Sequence, residues 1–150
     1  MVKFSFYKQE TNYTCGAASM RMALEFFGIK KSEKQLAKLL NTNKVRGTWH
    51  RDFPLVAEKF KLSYASIKNA TMRDLEAYQR KGFVIILCYL SPDKKSDHYV
   101  VLKRIDEKHI HFWDPFYGEK HKYLIHYFKK IWRSDPKYEN EGHWFFAMKK

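Results

Sequence analysis

Residues 9–28 read QETNYTCGAASMRMALEFFG, a polar loop with a Cys-Gly pair followed by a run that predicts a helix. The run from Cys15 to Phe27 contains no proline, is rich in Ala, Met and Leu, and is followed by Gly28, a residue typical of helix ends. Cys15 is therefore predicted to lie in the first turn. There the unpaired N–H groups and the positive end of the helix dipole favour thiolate over thiol. We interpret Cys15 as a nucleophile.

The neighbours of Cys15 support this interpretation. Gly16, Ala17 and Ala18 keep the first turn slim, which is expected to let a substrate backbone approach the sulfur. Gln9 can place a neutral amide donor beside the backbone N–H of Cys15, and such a pair of donors forms an oxyanion hole. The alternative is a buried structural cysteine that opens a core helix. The position at the helix start, together with Gln9, favours the catalytic interpretation.

The composition indicates a globular protein. At 150 residues and 45% apolar content the chain can bury one sizeable core, so we expect residues 1–150 to form a single domain. No run is long enough to span a bilayer, and the beginning lacks the apolar stretch of a secretory signal. We therefore expect a cytoplasmic protein without a transmembrane segment. Two cysteines in that compartment favour free thiols over a disulfide.

The net charge of +13 raises affinity for anionic partners through general electrostatics. The lysines, however, occur singly or in pairs along the whole chain, with no block of five or six. We therefore expect a solvated lysine-rich surface, and nucleic acid is not an expected partner.

Hydrophobic periodicity predicts helices in the first half of the chain and strands in the second. Helices are predicted over 15–27, 32–40, from near 52 to 60, and 71–80, with a strand over 62–67; further strands are predicted over 83–90, 98–102, 109–114 and 143–148, and a short helix or turn within 123–132. This order is typical of an α+β domain with an antiparallel sheet. Cys88 lies inside the apolar strand FVIILCYL and is expected to be an inert core thiol.

A cysteine nucleophile needs a base and a group that orients the base. His98 opens a predicted strand after a polar loop, and Asp114 closes the next strand. If the two strands pair through the turn at 106–108, the two side chains face each other at its open end, and the carboxylate can fix the tautomer of the imidazole. Alone, each has an ordinary explanation, a strand-end histidine and a turn former before proline. Asp97 points to the opposite strand face and is a weaker candidate.

The remaining histidines give no comparable pattern. His109 and His111 share one strand face, but no third-ligand spacing accompanies them, so we expect no metal and no cofactor. The other four, which have no obvious partner in the sequence, are His50, His121, His126 and His143.

Several of these residues, with their neighbours, form a series of short motifs along the chain. In order, the motifs are Gln9, Cys15-Gly16-Ala17-Ala18, Met20 and Met22, Phe26-Phe27-Gly28, His98-Tyr99-Val100-Val101-Leu102, and Trp113-Asp114-Pro115 with Gly118. The pattern resembles that of the double-glycine leader peptidases, the papain-like cysteine peptidases of family C39. These are best known as N-terminal domains of bacteriocin-exporting ABC transporters. The resemblance covers nearly the whole chain.

The resemblance implies an α+β, papain-like fold and a peptidase that cleaves a leader or precursor peptide after a Gly-Gly pair. It implies Cys15 as nucleophile, His98 as base and then acid, Asp114 as orienting group, and Gln9 in the oxyanion hole. Because no membrane segment or nucleotide-binding domain is predicted, a transporter role would require a separate ABC transporter as partner. Thr14 stands where the family often has an acidic residue.

Two other functions fit the same residues. The triad could serve a different acyl transfer, such as deamidation or transglutamination of a protein. Alternatively, the fold could be a peptide-binding module without turnover, with the basic surface engaging its ligand.

Overall fold

In the computed structural model, which describes residues 4–150, helices cover both faces of one six-stranded antiparallel sheet. The helices are α1 (Cys15–Glu25), α2 (Glu33–Leu39), α3 (Phe53–Lys59), α4 (Met72–Arg80) and α5 (Ile125–Ile131), with a 3₁₀ turn at His50–Asp52. The strands are β1 (Ser63–Ile67), β2 (Val84–Leu90), β3 (Asp97–Ile105), β4 (His109–Asp114), β5 (Gly118–Leu124) and β6 (Phe145–Lys149). Their order across the sheet is β1-β6-β2-β3-β4-β5.

Strands that follow one another in sequence are neighbours on one side of the sheet, whereas the other side pairs strands that are distant in sequence. Strands β2, β3, β4 and β5 follow one another as antiparallel neighbours. The last strand, β6, lies between β1 and β2 and pairs with both. Strand β1 is therefore joined to strands β2–β5 only through β6.

Each face of the sheet has its own core. Alternate residues of the central strands point to opposite faces, so Ile86 and Cys88 pack with α1, α2 and α3, whereas Ile85 and Leu87 pack with α4 and α5. Cys88 is 1% exposed and burial raises the pKa of its thiol well above the ordinary value. The prediction of an inert core thiol is confirmed, and both cysteines are free.

Local sequence signals explain most helix boundaries. Ser32 and Thr71 each accept a hydrogen bond from the backbone N–H three residues later and complete a capping box, so α2 and α4 begin where predicted. Gly28 has a φ of +76°, a left-handed conformation that glycine adopts without strain, and it follows the end of α1. Within residues 4–150, no helix has both the length and the apolar character that crossing a membrane requires.

One strand was not predicted. Strand β5 reads GEKHKYL, and its burial alternates between exposed and half-buried residues because it forms an edge of the sheet. Its many charged residues weaken the apolar alternation on which strand prediction depends. The prediction placed a helical half of the chain against the sheet. In the structure, α4 and α5 also cover the second face, so the sheet lies between two layers of helices.

Candidate active site

Cys15 is the first residue of α1, as predicted. Thr14 precedes it with φ −107° and ψ 27°, outside the helix, and its side chain makes no cap bond to the helix. Instead the Thr14 hydroxyl donates to Glu33 Oε2 at 2.8 Å. The first-turn N–H groups are thus left without a side-chain acceptor at the end of the helix that bears the sulfur. The Tyr99 backbone N–H points at Cys15 Sγ, with 3.5 Å between N and S.

The small residues after Cys15 have a different role from the one predicted. Gly16, Ala17 and Ala18 are buried, so they do not line a path for substrate. A Cβ atom at Gly16 would lie 2.8 Å from Thr48 Oγ1 and 3.3 Å from the Tyr99 ring. The prediction that these residues clear space for a substrate backbone was wrong, because protein fills that space.

His98 and Asp114 meet as the hairpin argument predicted. His98 Nε2 and Asp114 Oδ1 are 2.6 Å apart, and the two residues are 6% and 0% exposed. The strand ladder pairs Val101 with Trp113, a register that places Asp114 across from Val100. The histidine and aspartate are therefore diagonal neighbours on one face, within reach of long side chains, and not directly opposed.

Asp114 is a buried carboxylate with four donors. Its Oδ1 also accepts the backbone N–H groups of Phe116 at 2.9 Å and Tyr117 at 3.0 Å, and its Oδ2 accepts the Tyr89 hydroxyl at 2.8 Å. Burial acts to raise the pKa of Asp114, but the hydrogen bonds and charge of His98 outweigh it and the pKa is lowered. The carboxylate is thus held in its charged form. Tyr89 was missed because it lies within an apolar strand, where an aromatic residue predicts only packing.

His98 interacts with both Asp114 and Cys15. Burial acts to lower the pKa of the imidazole, but hydrogen bonding and charge from Asp114 and Cys15 raise it to about 9. Because Nε2 faces Asp114, Nδ1 is the ring nitrogen left for the sulfur. This arrangement favours a protonated imidazole at neutral pH.

Gln9 is anchored close to this pair. Its backbone N–H donates to the Pro115 carbonyl at 2.9 Å, and its side-chain amide donates to the Thr11 carbonyl at 2.7 Å. The amide oxygen is buried, with no protein partner among the described residues. One amide N–H is used by Thr11, and the second remains available, since an amide nitrogen carries two. The structure records no hydrogen bond between Gln9 and Cys15.

A cavity of about 200 Å³ opens beside Cys15. Its walls are the segment of residues 44–48 on one side and the start of β3 with residues 135 and 138 on the other; Asn12 and Tyr13 line it as well. Cys15 is itself one of the residues that line this cavity.

Two of the histidines that lacked an obvious partner have one. His50 Nδ1 lies 2.7 Å from Glu141 Oε1 and its ring stacks on Trp144. His121 Nε2 lies 3.9 Å from Asp114 Oδ2, too far for a hydrogen bond, and has no such partner among the described residues. His143 bonds two backbone carbonyls, those of Ala70 and Lys129. These partners come from distant parts of the sequence, which is why spacing alone did not reveal them.

Within residues 4–150, one group of three ligand-type side chains could hold a metal ion: His50, Glu139 and Glu141. Burial lowers the pKa of His50 to about 4 although Glu141 opposes the shift. Glu139 already binds the Arg46 guanidinium and the His50 backbone N–H. His50 Nδ1 and Glu139 are thus already engaged by protein atoms, whereas His50 Nε2 is buried with no hydrogen-bond partner among the described residues. His111, one of the pair considered earlier, is bonded to Asp106 at 2.7 Å.

The sequence profile described as the Peptidase C39 family matches residues 3–135. The chain belongs to the peptidase C39 family. It is therefore a cysteine peptidase of this family with the α+β, papain-like fold, as the resemblance implied. No curated protein matches the sequence significantly.

Solved structures of C39 peptidases share the fold. A C39-like peptidase from Bacillus anthracis superposes with a TM-score of 0.78 at 16% identity, covering 100% of this chain and 96% of that one. The peptidase domain of Streptococcus ComA, a bifunctional ABC transporter of a quorum-sensing pathway, gives 0.76 at 18% identity, with 99% and 100% covered. A double-glycine-motif protease from an AMS/PCAT transporter, in complex with the leader peptide, gives 0.72 at 18%, with 99% and 94% covered.

Proposed function

We propose that this C39 peptidase hydrolyses a leader or precursor peptide after a Gly-Gly pair, with Cys15, His98 and Asp114 as its triad. The observation that carries the proposal is the position of His98, buried between the Asp114 carboxylate at 2.6 Å and the Cys15 sulfur that helps to raise its pKa. An imidazole between a buried carboxylate and a helix-start thiol is the arrangement that cysteine nucleophiles require.

The first half of the reaction forms an acyl-enzyme. The Cys15 thiolate attacks the carbonyl carbon of the scissile bond, and the carbonyl oxygen takes the negative charge. The His98 imidazolium then gives its proton to the leaving amine as the carbon–nitrogen bond breaks. The second half runs through water, whose proton passes to His98 while its oxygen attacks the thioester carbonyl. Carboxylic acid product leaves and the thiolate–imidazolium pair is restored.

The oxyanion is stabilised by the Cys15 backbone N–H and by the second amide N–H of Gln9. The anchoring of Gln9 to Pro115 and Thr11 supports this role, since a fixed donor needs little reorganisation during reaction.

The substrate class is supported by the relatives, among them a double-glycine-motif protease bound to its leader peptide and the peptidase domain of a bifunctional ABC transporter. We place this peptidase in the cytoplasm as a single domain of residues 1–150, acting on peptides that a separate ABC transporter exports.

Mass spectrometry of a synthetic leader peptide with a Gly-Gly pair tests the proposal. We expect one cut after the second glycine, no cut by Cys15→Ala, and nearly normal cutting by Cys88→Ala, the matched control at the buried thiol. An intact peptide with a small mass gain would contradict hydrolysis and indicate deamidation. An intact, unmodified peptide would contradict the proposed substrate.

A further inference from the structure

The segment of residues 43–47, called here the cleft turn, forms one wall of the cavity beside the nucleophile. The turn is closed on itself by two backbone hydrogen bonds between Asn43 and Gly47, of 2.8 and 3.1 Å. Asn43 Oδ1 accepts the N–H groups of Val45 and Arg46. Val45, at the tip, is 86% exposed. The tip of the turn therefore gains little from apolar packing, and something else must hold it against the protein.

Arg46 supplies that contact. Its side chain is only 7% exposed, and its Nη2 lies 3.1 Å from Asp97 Oδ2 and binds Glu139 Oε1 as well. The guanidinium lies 4.4 Å from the centre of the Trp49 ring and 4.9 Å from that of Tyr138. The two carboxylates are themselves 5% and 10% exposed. A charge pair this well shielded from water is costly to break from one side, since the partner is left buried and uncompensated.

The two carboxylates belong to the parts of the protein that face the cleft turn. Asp97 is the residue before His98, and its Oδ1 accepts the backbone N–H of Asp135. Asp97 and Asp135 both line the cavity. Arg46 therefore joins the cleft turn to the strand that carries the base and to the loop of the opposite wall. These bonds connect the two walls of the cavity.

We propose that Arg46 is a specificity-determining residue, whose bonds to Asp97 and Glu139 fix the cleft turn so that only slim groups reach Cys15. The inference rests on the proposed function of Cys15 as the reactive thiol. Arg46 contacts neither the Cys15 sulfur nor the His98 imidazole in the structure. Its effect is therefore on which substrates enter the cleft and not on the steps of hydrolysis.

Maleimide labelling measures the cleft width directly. Rate constants for N-methylmaleimide and the bulky N-pyrenylmaleimide are compared at Cys15, located by peptide mass spectrometry. In Arg46→Met the ratio of bulky to small reagent is expected to rise about tenfold, a change typical of relaxed pocket sterics. Arg51→Met is the matched control, since Arg51 is exposed, stacks on the same Trp49 ring at 4.8 Å and makes no ion pair within residues 4–150. Its ratio should equal that of wild type.

Labelling of the buried Cys88 reports unfolding of a variant. If Arg46→Met labels there, the double variant with Glu139→Gln removes one unpaired charge, and Arg46→Lys keeps the positive charge without the planar fork. An unchanged reagent ratio in every folded variant overturns the proposal.

Peptide cleavage forms a separate arm. Wild type and Arg46→Met are compared on a leader peptide with Gly-Gly and on its Gly-Ala analogue. We expect the variant to lose part of the preference for glycine through KM. A shifted reagent ratio in a protein that cuts neither peptide would contradict the proposed substrate while supporting the role of Arg46.

Discussion

At the scale of single residues, some contacts of the proposed triad could be predicted from the sequence and others could not. The meeting of His98 and Asp114 was predictable from the hairpin around residues 106–108, but its register was not. The pairing shifts by one residue at an irregularity between Leu102 and Arg104, and only this shift puts the two side chains on one face. The contribution of Tyr89 was not predictable, because its partner Asp114 is 25 residues away and its own surroundings are apolar. A hydrogen bond from the hydroxyl of a buried tyrosine can be predicted only when the neighbouring strand is known.

The pH dependence of activity should report the His98–Asp114 bond. The pKa of His98, about 9, lies above the ordinary value of 6.5, so the imidazolium form and the stability it adds are present at low pH and are lost as the pH rises through about 9. We expect activity in wild type to fall on that alkaline limb. Asp114→Asn removes the carboxylate, so the limb should move to lower pH. A pH–rate profile of kcat/KM measures it.

Tyr89→Phe is the control for that experiment, because it removes a neutral hydrogen bond to the same carboxylate and keeps the charge. Its alkaline limb should stay near that of wild type. An Asp114→Asn limb that coincides with wild type would show that another group sets the pKa of His98.

Gln9→Ala tests the oxyanion hole. Loss of one preorganised donor to a developing oxyanion slows acylation on the order of 100-fold. Pre-steady-state acylation with a peptide thioester gives the rate. Gln79→Ala serves for comparison, since Gln79 also donates its amide to a backbone carbonyl, that of Lys103, at 3.4 Å. Equal acylation rates in Gln9→Ala and wild type would remove Gln9 from the mechanism.

At the scale of elements, the helix that begins at Cys15 packs closely against the residues after the cleft turn. Gly16 lies against Thr48, whose hydroxyl is in turn 2.7 Å from that of Thr42. The helix itself was predictable from composition and a glycine stop, whereas the reason for its second residue was not. A glycine next to a nucleophile suggests substrate access when the chain is seen alone, and the element packed against it becomes visible only in the fold.

Gly16→Ala should therefore destabilise the whole protein. The added Cβ would be 2.8 Å from Thr48 Oγ1, and overpacking of this kind costs about 1–3 kcal/mol of the free energy of unfolding. Thermal unfolding followed by circular dichroism measures the loss. The double variant with Thr48→Ala should recover part of it, since the hydroxyl is removed.

Gly142→Ala is the matched control, because a Cβ there meets no atom within 4 Å. Its melting temperature should be close to that of wild type. If Gly16→Ala lost activity but kept its melting temperature, the glycine would serve substrate access after all.

At the scale of the whole molecule, element types were more predictable than their arrangement. Capping boxes at Ser32 and Thr71, the turn of residues 106–108 and the apolar run of β2 are local signals, and the structure has each where the sequence indicated. The order of strands is not local, because an apolar strand carries no mark of which neighbour it will pair with. That β6 separates β1 from β2, and that α4 and α5 cover the second face, depend on contacts between distant residues.

The position of β6 between β1 and β2 has a consequence for folding during translation. Translation delivers β1 and β2 first, and both wait for a strand that starts at Phe145. Until it emerges, the nascent chain presents unpaired apolar strand edges, which other chains can use as templates for aggregation. A chain cut shortly before residue 145 would therefore contain Cys15, His98 and Asp114 but lack the strand that joins β1 to β2.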